Sequence, residues 1–414
     1  MWRKVWKWLI VAGIAAVCCM GVFGITGWWD KVPWNRQDAH VYEKGVQRMP
    51  NPAQHGIEGT NLTELENRKR QERDREDEIL TKWIEGMTTE QKLAQCMILT
   101  NEKDINAWNL QTYQPGGVIF FGVDFKGKTV EQVAARVKGL QQCMQVPLFV
   151  GVDEEGGQIS RVKGLLDEGL PRFDSARELY AKGTKAVIED VERKTVLLER
   201  MGINLNFDPV ADVVNDPAAY MYDRSASGDA EEAADYVKTV ISVMKDRKMG
   251  SCLKHFPGYG NNANTHATFA NDKKSLVTYR KQDFVPYRAG VAAGAEMIMV
   301  SHITMECVDR ENPASLSGPV HTLLREELAF DGVVMADDLN MQAILMRMSL
   351  EEATGRALEA GNDMVFSADF AASMRGAKHA LQSGQITETM LEDSVRRILR
   401  YKLHLGMLEE AAME

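Results

Sequence analysis

The chain has 414 residues, 44% of them hydrophobic and 26% charged, which is enough to bury a substantial core and excludes a disordered or fibrous class. The formal net charge of −10 excludes a nucleic-acid-binding surface, because neutralising phosphates takes clustered Lys and Arg. The main basic run, Arg68-Lys69-Arg70, is interleaved with acids through Glu78 and reads as a solvated helix face.

Arg3, Lys4 and Lys7 precede an uncharged stretch from Trp8 to Trp29. As a helix rising ~1.5 Å per residue it would span about 33 Å, enough to cross a bilayer core. The positive flank predicts a cytoplasmic N-terminus. Trp28-Trp29 sit at the expected interface, and no small-x-small cleavage site precedes Asp30, so residues 1–29 are expected to be a single-pass anchor with the rest of the chain extracytoplasmic. Secretion after signal cleavage is the alternative. Cys18 and Cys19 follow Val17, where lipidation wants a small residue, and are expected to be membrane-buried thiols.

Residues 30–78 are polar, contain Pro33 and Pro50-Asn51-Pro52, and predict a linker with a charged helix from Leu62. From Ile79 the pattern changes. Ile79, Leu80, Trp83 and Ile84 fall at helical spacing, Gly86 ends the turn, and Thr88 with Gln91 forms a capping-box signal. Short apolar runs then alternate with helix-length segments. The strands are expected at Cys96–Leu99, Val118–Phe121, Leu148–Asp153, Leu205–Pro209, Ser251–His255, Met297–His302, Val333–Asp337 and Asp363–Ser367. Eight such units predict parallel pairing, with right-handed crossovers, in an α/β fold of the (β/α)8 TIM-barrel type over residues 79–414. A doubly wound open sheet is the alternative.

Asp153, Asp208, Lys254-His255, His302 and Asp337 each end a predicted strand. In a barrel such ends converge on one face, where catalytic groups collect. An isolated Asp there is more often a helix cap, but five polar ends together predict one pocket.

Four stretches carry a resemblance: Val152-Asp153-Glu154-Glu155-Gly156-Gly157-Gln158-Ile159-Ser160-Arg161, Lys254-His255-Phe256-Pro257-Gly258-Tyr259-Gly260, Thr265-His266, and Ala336-Asp337-Asp338-Leu339-Asn340-Met341. From residue 79 to 408 the chain resembles family 3 glycoside hydrolases of the β-N-acetylhexosaminidase type. The resemblance implies that Asp337 is the nucleophile of a retaining reaction through a glycosyl-enzyme intermediate, with Asp338 a structural neighbour. It also implies that Asp153, Arg161, Arg224, Lys254, His255 and His302 bind substrate. Cations such as Lys254 or Arg161 are expected to keep Asp337 ionised.

The same resemblance makes His266 the acid/base, on a mobile loop, where the family holds it with an aspartate two residues earlier. Here that position is Asn264, and Tyr259 replaces a second histidine. Asparagine can orient the imidazole but supplies no charge to favour the imidazolium. Two classes of function therefore stay open. One is an exo-β-N-acetylglucosaminidase acting on cell-wall-derived glycans in peptidoglycan turnover. The other is a membrane-anchored glycan-binding protein with a weakened or inactive site. Transfer to phosphate, or β-glucosidase specificity, are further alternatives among enzymes.

No metal or other cofactor is implied. His40, His55, His266 and His302 are scattered without ligand spacing. Cys96, Cys143, Cys252 and Cys307 are expected to be buried free thiols, and Met341, Met346 and Met348 to fill the core.

Overall fold

In the computed structural model, residues 62–167, 169–170 and 172–408 are described. The expected anchor and the linker up to residue 61 lie outside them. No helix among the described residues is long and apolar enough to cross a membrane. The chain divides into a unit ending at Lys69, of which only the start of one helix is described, and a compact unit from Arg70 onward.

That first helix, α1 (Leu62–Glu85), is polar for most of its length and buries Leu80, Trp83 and Ile84 at its end. The capping box at Thr88 and Gln91 opens α2 (Thr89–Gln95). The strands follow as β1 (Met97–Leu99), β2 (Gly117–Phe120), β3 (Phe149–Val152), β4 (Leu205–Asn206), β5 (Gly250–Ser251), β6 (Leu253–Phe256), β7 (Ala270–Asp272), β8 (Met297–Val300), β9 (Ile303–Met305), β10 (Val333–Ala336) and β11 (Val365–Ser367). One parallel sheet has the order β11-β1-β2-β3-β4-β5, and a second has β10-β8-β6. Almost every residue of these strands is buried, as expected where helices cover both faces of a parallel sheet. The strand order follows the chain, without the reversal that a doubly wound sheet requires. β5 runs into β6 through Cys252, and Met335 bridges Met364 in parallel while the Ala336 N–H donates to the Met364 carbonyl (3.0 Å).

Helices between the strands bury one stripe each. In α3 (Ala230–Asp246), Ala233, Tyr236, Val237, Val240, Ile241 and Met244 recur at three- and four-residue spacing, after an Asp229 side chain that accepts from the Glu231 and Glu232 N–H groups.

Some sequence expectations differ in detail. β4 stops at Asn206, not Pro209: the Asp208 N–H turns back to the Asn206 carbonyl (2.8 Å), and Pro209 has no N–H to give a ladder. The expected strand Ser251–His255 is split between two partners, β5 on β4 and β6 on β8. β7 and β9 form a small extra sheet that the apolar pattern did not predict. Cys96 and Cys252 are buried, but Cys143 is half-buried and Cys307 exposed. Met341 is in the core, whereas Met346 is 62% exposed.

The C-terminal helix α4 (Glu388–His404) carries Lys402, which is fully buried. Its ammonium donates to Gln95 Oε1 (2.9 Å) and lies 5.1 Å from the Phe149 ring centre, with no carboxylate among the described residues in hydrogen-bond reach. Burial pulls its pKa down to about 7. Above that value the folded chain binds fewer protons here than the unfolded chain does, until an ordinary lysine also deprotonates near ~10.4. Stability from this residue therefore rises with pH through that window, by about 1.4 kcal/mol per unit, and is lowest in acid. Urea unfolding of the parent and of Lys402→Met should show a difference favouring the variant below about pH 7 that shrinks as pH rises. A pH-independent difference would refute a desolvated lysine.

Candidate active site

The loops beyond the C-terminal ends of the strands meet around one cleft. Thr100 follows β1, Phe121 follows β2, Asp153 to Arg161 follow β3, Lys254 and His255 lie within β6, His266 follows β6, and Asp337 follows β10. A larger cavity of 420 Å³ opens near the start of β11. Its buried carboxylate, Asp363, is already saturated by Arg325 (2.6 Å), Arg397 (3.0 Å), Ser394 (2.8 Å) and the Val334 N–H (2.8 Å), so it braces helices against strands.

The floor of the cleft is a chain of alternating charges. Lys254 Nζ sits between Asp153 Oδ1 (2.8 Å) and Glu155 Oε1 (2.7 Å). Arg161 Nη2 reaches the other oxygen of Asp153 (3.3 Å). Arg224 grips Glu155 with Nε and Nη2 (2.8 and 2.7 Å). Burial pushes the Glu155 carboxyl up, but Arg224 and Lys254 overcome it and hold the group far below the usual carboxylate range. Burial likewise opposes charge on Lys254, and Asp153 and Glu155 reverse that, raising it. Asp153 is partly exposed and ends below its ordinary value, because Lys254 and Arg161 outweigh desolvation.

Asp337 stands at the cleft, partly exposed, with its backbone N–H bonded to the Val300 carbonyl (2.9 Å) and its Oδ1 accepting from the Asp338 N–H (2.8 Å). Desolvation pushes its carboxyl up, yet His302, His255 and His266 together with that N–H leave it below the ordinary value. Lys254 and Arg161, which the sequence suggested for this task, pair directly with Asp153. Asp338 instead accepts from the Asn340 backbone and side chain (both 2.9 Å), shaping the turn.

The three histidines differ in what holds them. His255 Nδ1 donates to Asp212 Oδ2 (2.8 Å), which leaves Nε2 as the acceptor facing the cleft, 3.5 Å from Arg224. His302 is buried and burial lowers its pKa. Its Nε2–H donates to the Asp338 carbonyl (2.9 Å), so Nδ1 accepts from Ser315 Oγ (2.7 Å). His302 thus stands behind the wall with both nitrogens occupied, where the sequence placed it in the pocket. His266 is exposed at the mouth, and Asn264 Oδ1 accepts both its Nδ1–H (2.9 Å) and its backbone N–H (3.0 Å). Nε2 is left to act on a ligand.

Arg224 lines the cleft but is only 8% exposed, and its guanidinium is paired with Glu155, so it braces the floor. One further expectation is corrected. Asp208 is buried away from the cleft, 3.9 Å from Lys194, with its pKa raised to about 6 by burial. Glu155, Asp212 and Tyr220 were not singled out as site residues from sequence. Glu155 lay inside a quoted motif, and Asp212 only four residues beyond the polar end at Asp208.

Among the described residues, no group of three or more His, Cys, Asp and Glu is placed to hold a metal ion. What the cleft offers is a partly exposed carboxylate at Asp337, the Nε2 atoms of His266 and His255, and a paired cationic and anionic floor suited to hydroxyl groups.

The sequence profile of the glycosyl hydrolase family 3 N-terminal domain matches residues 88–401. The chain is 31% identical over 327 residues to the beta-hexosaminidase LpqI of Mycobacterium tuberculosis, covering 75% of this chain and 82% of that protein. It is 32% identical over 265 residues to a beta-hexosaminidase of Xylella fastidiosa, covering 62% and 77% respectively. A solved family 3 β-N-acetylglucosaminidase from Paenibacillus sp. FPU-7 superposes with a TM-score of 0.73 at 28% identity, over 79% of this chain and 65% of the Paenibacillus chain.

Proposed function

This chain belongs to glycosyl hydrolase family 3, and from that membership we propose that it is a retaining exo-β-N-acetylglucosaminidase acting on terminal N-acetyl-β-hexosaminides. Asp337 attacks the anomeric carbon as the bond to the leaving oxygen breaks, and His266 Nε2–H gives that oxygen its proton. His266 then takes a proton from water, which displaces Asp337 and restores the starting configuration. Asp153, Arg161, Lys254 and His255 hold the sugar hydroxyls, with Arg224 acting through Glu155. The reading rests on one observation above others: Asp337 and His266 line the same narrow cleft as Lys254 and Asp153. The two sheets read as a closed (β/α)8 barrel, joined at β5–β6 and at the Met335–Met364 bridge. Cell-wall-derived glycans are the proposed substrates, reached from an anchor in residues 1–29.

The absent charge at Asn264 favours a second reading, a glycan-binding protein with a weak or inactive site. Turnover of a chromogenic N-acetyl-β-glucosaminide by the full chain separates the two. Asn264→Asp places a carboxylate where it stabilises the imidazolium, so kcat/KM should rise by roughly tenfold, a charge-assisted bond being worth about 1.4 kcal/mol more than a neutral one. A parent that binds glycan saturably without turnover, and a variant that turns over, would favour the binding protein. A variant slower than the parent would mean that asparagine is the better partner for His266.

A further inference from the structure

Between Tyr259 and His266 the chain leaves the protein body and returns, with Asn261 and Ala263 exposed. The segment is tied down at Asn261, which donates to Asn215 Oδ1 (2.9 Å), and at Asn262, which donates to Asp272 Oδ2 (2.7 Å), and its far end, next to His266, is held from beneath. Tyr259 is 2% exposed, and its backbone N–H donates to Asp212 Oδ1 (2.6 Å), the carboxylate whose other oxygen orients His255. Its hydroxyl rises to the far end of the loop. There it accepts from the Thr265 N–H (2.7 Å) and shares a hydrogen bond with Thr265 Oγ1 (2.6 Å). Thr265 is fully buried, adjoins His266, and has its carbonyl bonded to the Ala343 N–H (3.3 Å). The ring of Tyr220 lies tilted against Tyr259 (ring centres 6.2 Å apart) and edge-on to His266 (6.3 Å). Gly258 makes this path feasible: its φ is 125°, and any Cβ would stand 2.6 Å from Asp283 Oδ1.

We infer that Tyr259 is the positioning residue of the acid/base, a strut whose hydroxyl pins Thr265 so that His266 is presented at the cleft beside Asp337 with the loop already closed. This rests on the reading of His266 as the proton donor. The strut compensates in geometry for what Asn264 lacks in charge. Its other bonds tie it to the floor, so the donor and the sugar-binding groups share one frame through Asp212.

A misplaced acid slows departure of a poor leaving group far more than that of a good one, which needs little protonation. Tyr259→Phe keeps the ring packing on His255 and Tyr220 and removes only the hydroxyl. Its kcat/KM should fall about tenfold or more on an unsubstituted phenyl N-acetyl-β-glucosaminide and less than about twofold on the dinitrophenyl analogue. Thr265→Val, which keeps the backbone bond and loses the hydroxyl partner, should shift the same ratio in the same direction by less. His266→Ala separates the two ideas. If it steepens the leaving-group dependence and Tyr259→Phe does not, the strut is refuted while the acid/base assignment stands. If His266→Ala leaves the dependence flat, or the parent turns over neither substrate, the assignment fails and the strut with it. A uniform loss on both substrates in Tyr259→Phe would mark a general structural role and overturn the proposal.

Discussion

Asp337→Ala is expected to lower kcat/KM on an aryl N-acetyl-β-glucosaminide by about ten-thousandfold or more, equivalent to roughly 5 kcal/mol of transition-state stabilisation. The side chain makes one hydrogen bond, to the neighbouring Asp338 N–H, and is partly exposed, so its loss costs the fold little. Circular dichroism and unfolding midpoint should be close to the parent's. Truncation also leaves space where the carboxylate stood. Azide, an anion of suitable size, should enter from the face opposite the leaving group, restore part of the turnover and give a glycosyl azide of inverted configuration. An Asp337→Ala chain as active as its parent would remove the nucleophile assignment.

Glu155→Ala is expected to have the largest effect on stability. The parent buries Lys254 and Arg224 around this carboxylate at 2.7–2.8 Å. Removing the anion leaves Arg224 with no carboxylate and Lys254 with Asp153 alone, and breaking such a buried pair costs about 3–5 kcal/mol. The urea midpoint should fall accordingly and binding of N-acetylglucosamine should be lost with it. Because the folded pKa of Glu155 is depressed, its contribution is present above the ordinary glutamate value of ~4.3 and is lost as pH falls below that. The parent should therefore lose stability steeply in acid, and a Glu155→Gln chain less so. Equal acid sensitivity in both would show that the network carries no such linkage.

How much of this was legible in the sequence varies with the kind of signal. Strand positions follow from short runs of Val, Ile, Met and Phe that must be buried on both faces, and these predicted β1 to β3, β8, β10 and β11 to within a few residues. Where hydrogen bonding rather than burial sets the boundary, the pattern failed, as at Pro209 and at Cys252, where one apolar run serves two partners. In the site, Asp153, Arg161, Lys254, His255, His266 and Asp337 were all singled out beforehand and all line the cleft. Arg224 lines it too and His302 stands behind it, but sequence says nothing of which way a side chain is spent. Arg224 is satisfied by Glu155, and His302 by Ser315 and Asp338. Asp212 and Tyr259 matter through what they hold, and their partners His255 and Thr265 are identifiable only in three dimensions. Met346 is exposed on the turn after the short helix Gln342–Leu345, a surface position that composition alone could not separate from the core.

The proposed mechanism requires a covalent bond between the sugar and one carboxylate. A fluorinated N-acetylglucosaminyl donor with a good leaving group, slow enough in the second step for the intermediate to accumulate, should label the full chain once, and peptide mass spectrometry should place the sugar on Asp337. A label on another residue, or turnover that proceeds with inversion and no adduct, would contradict it.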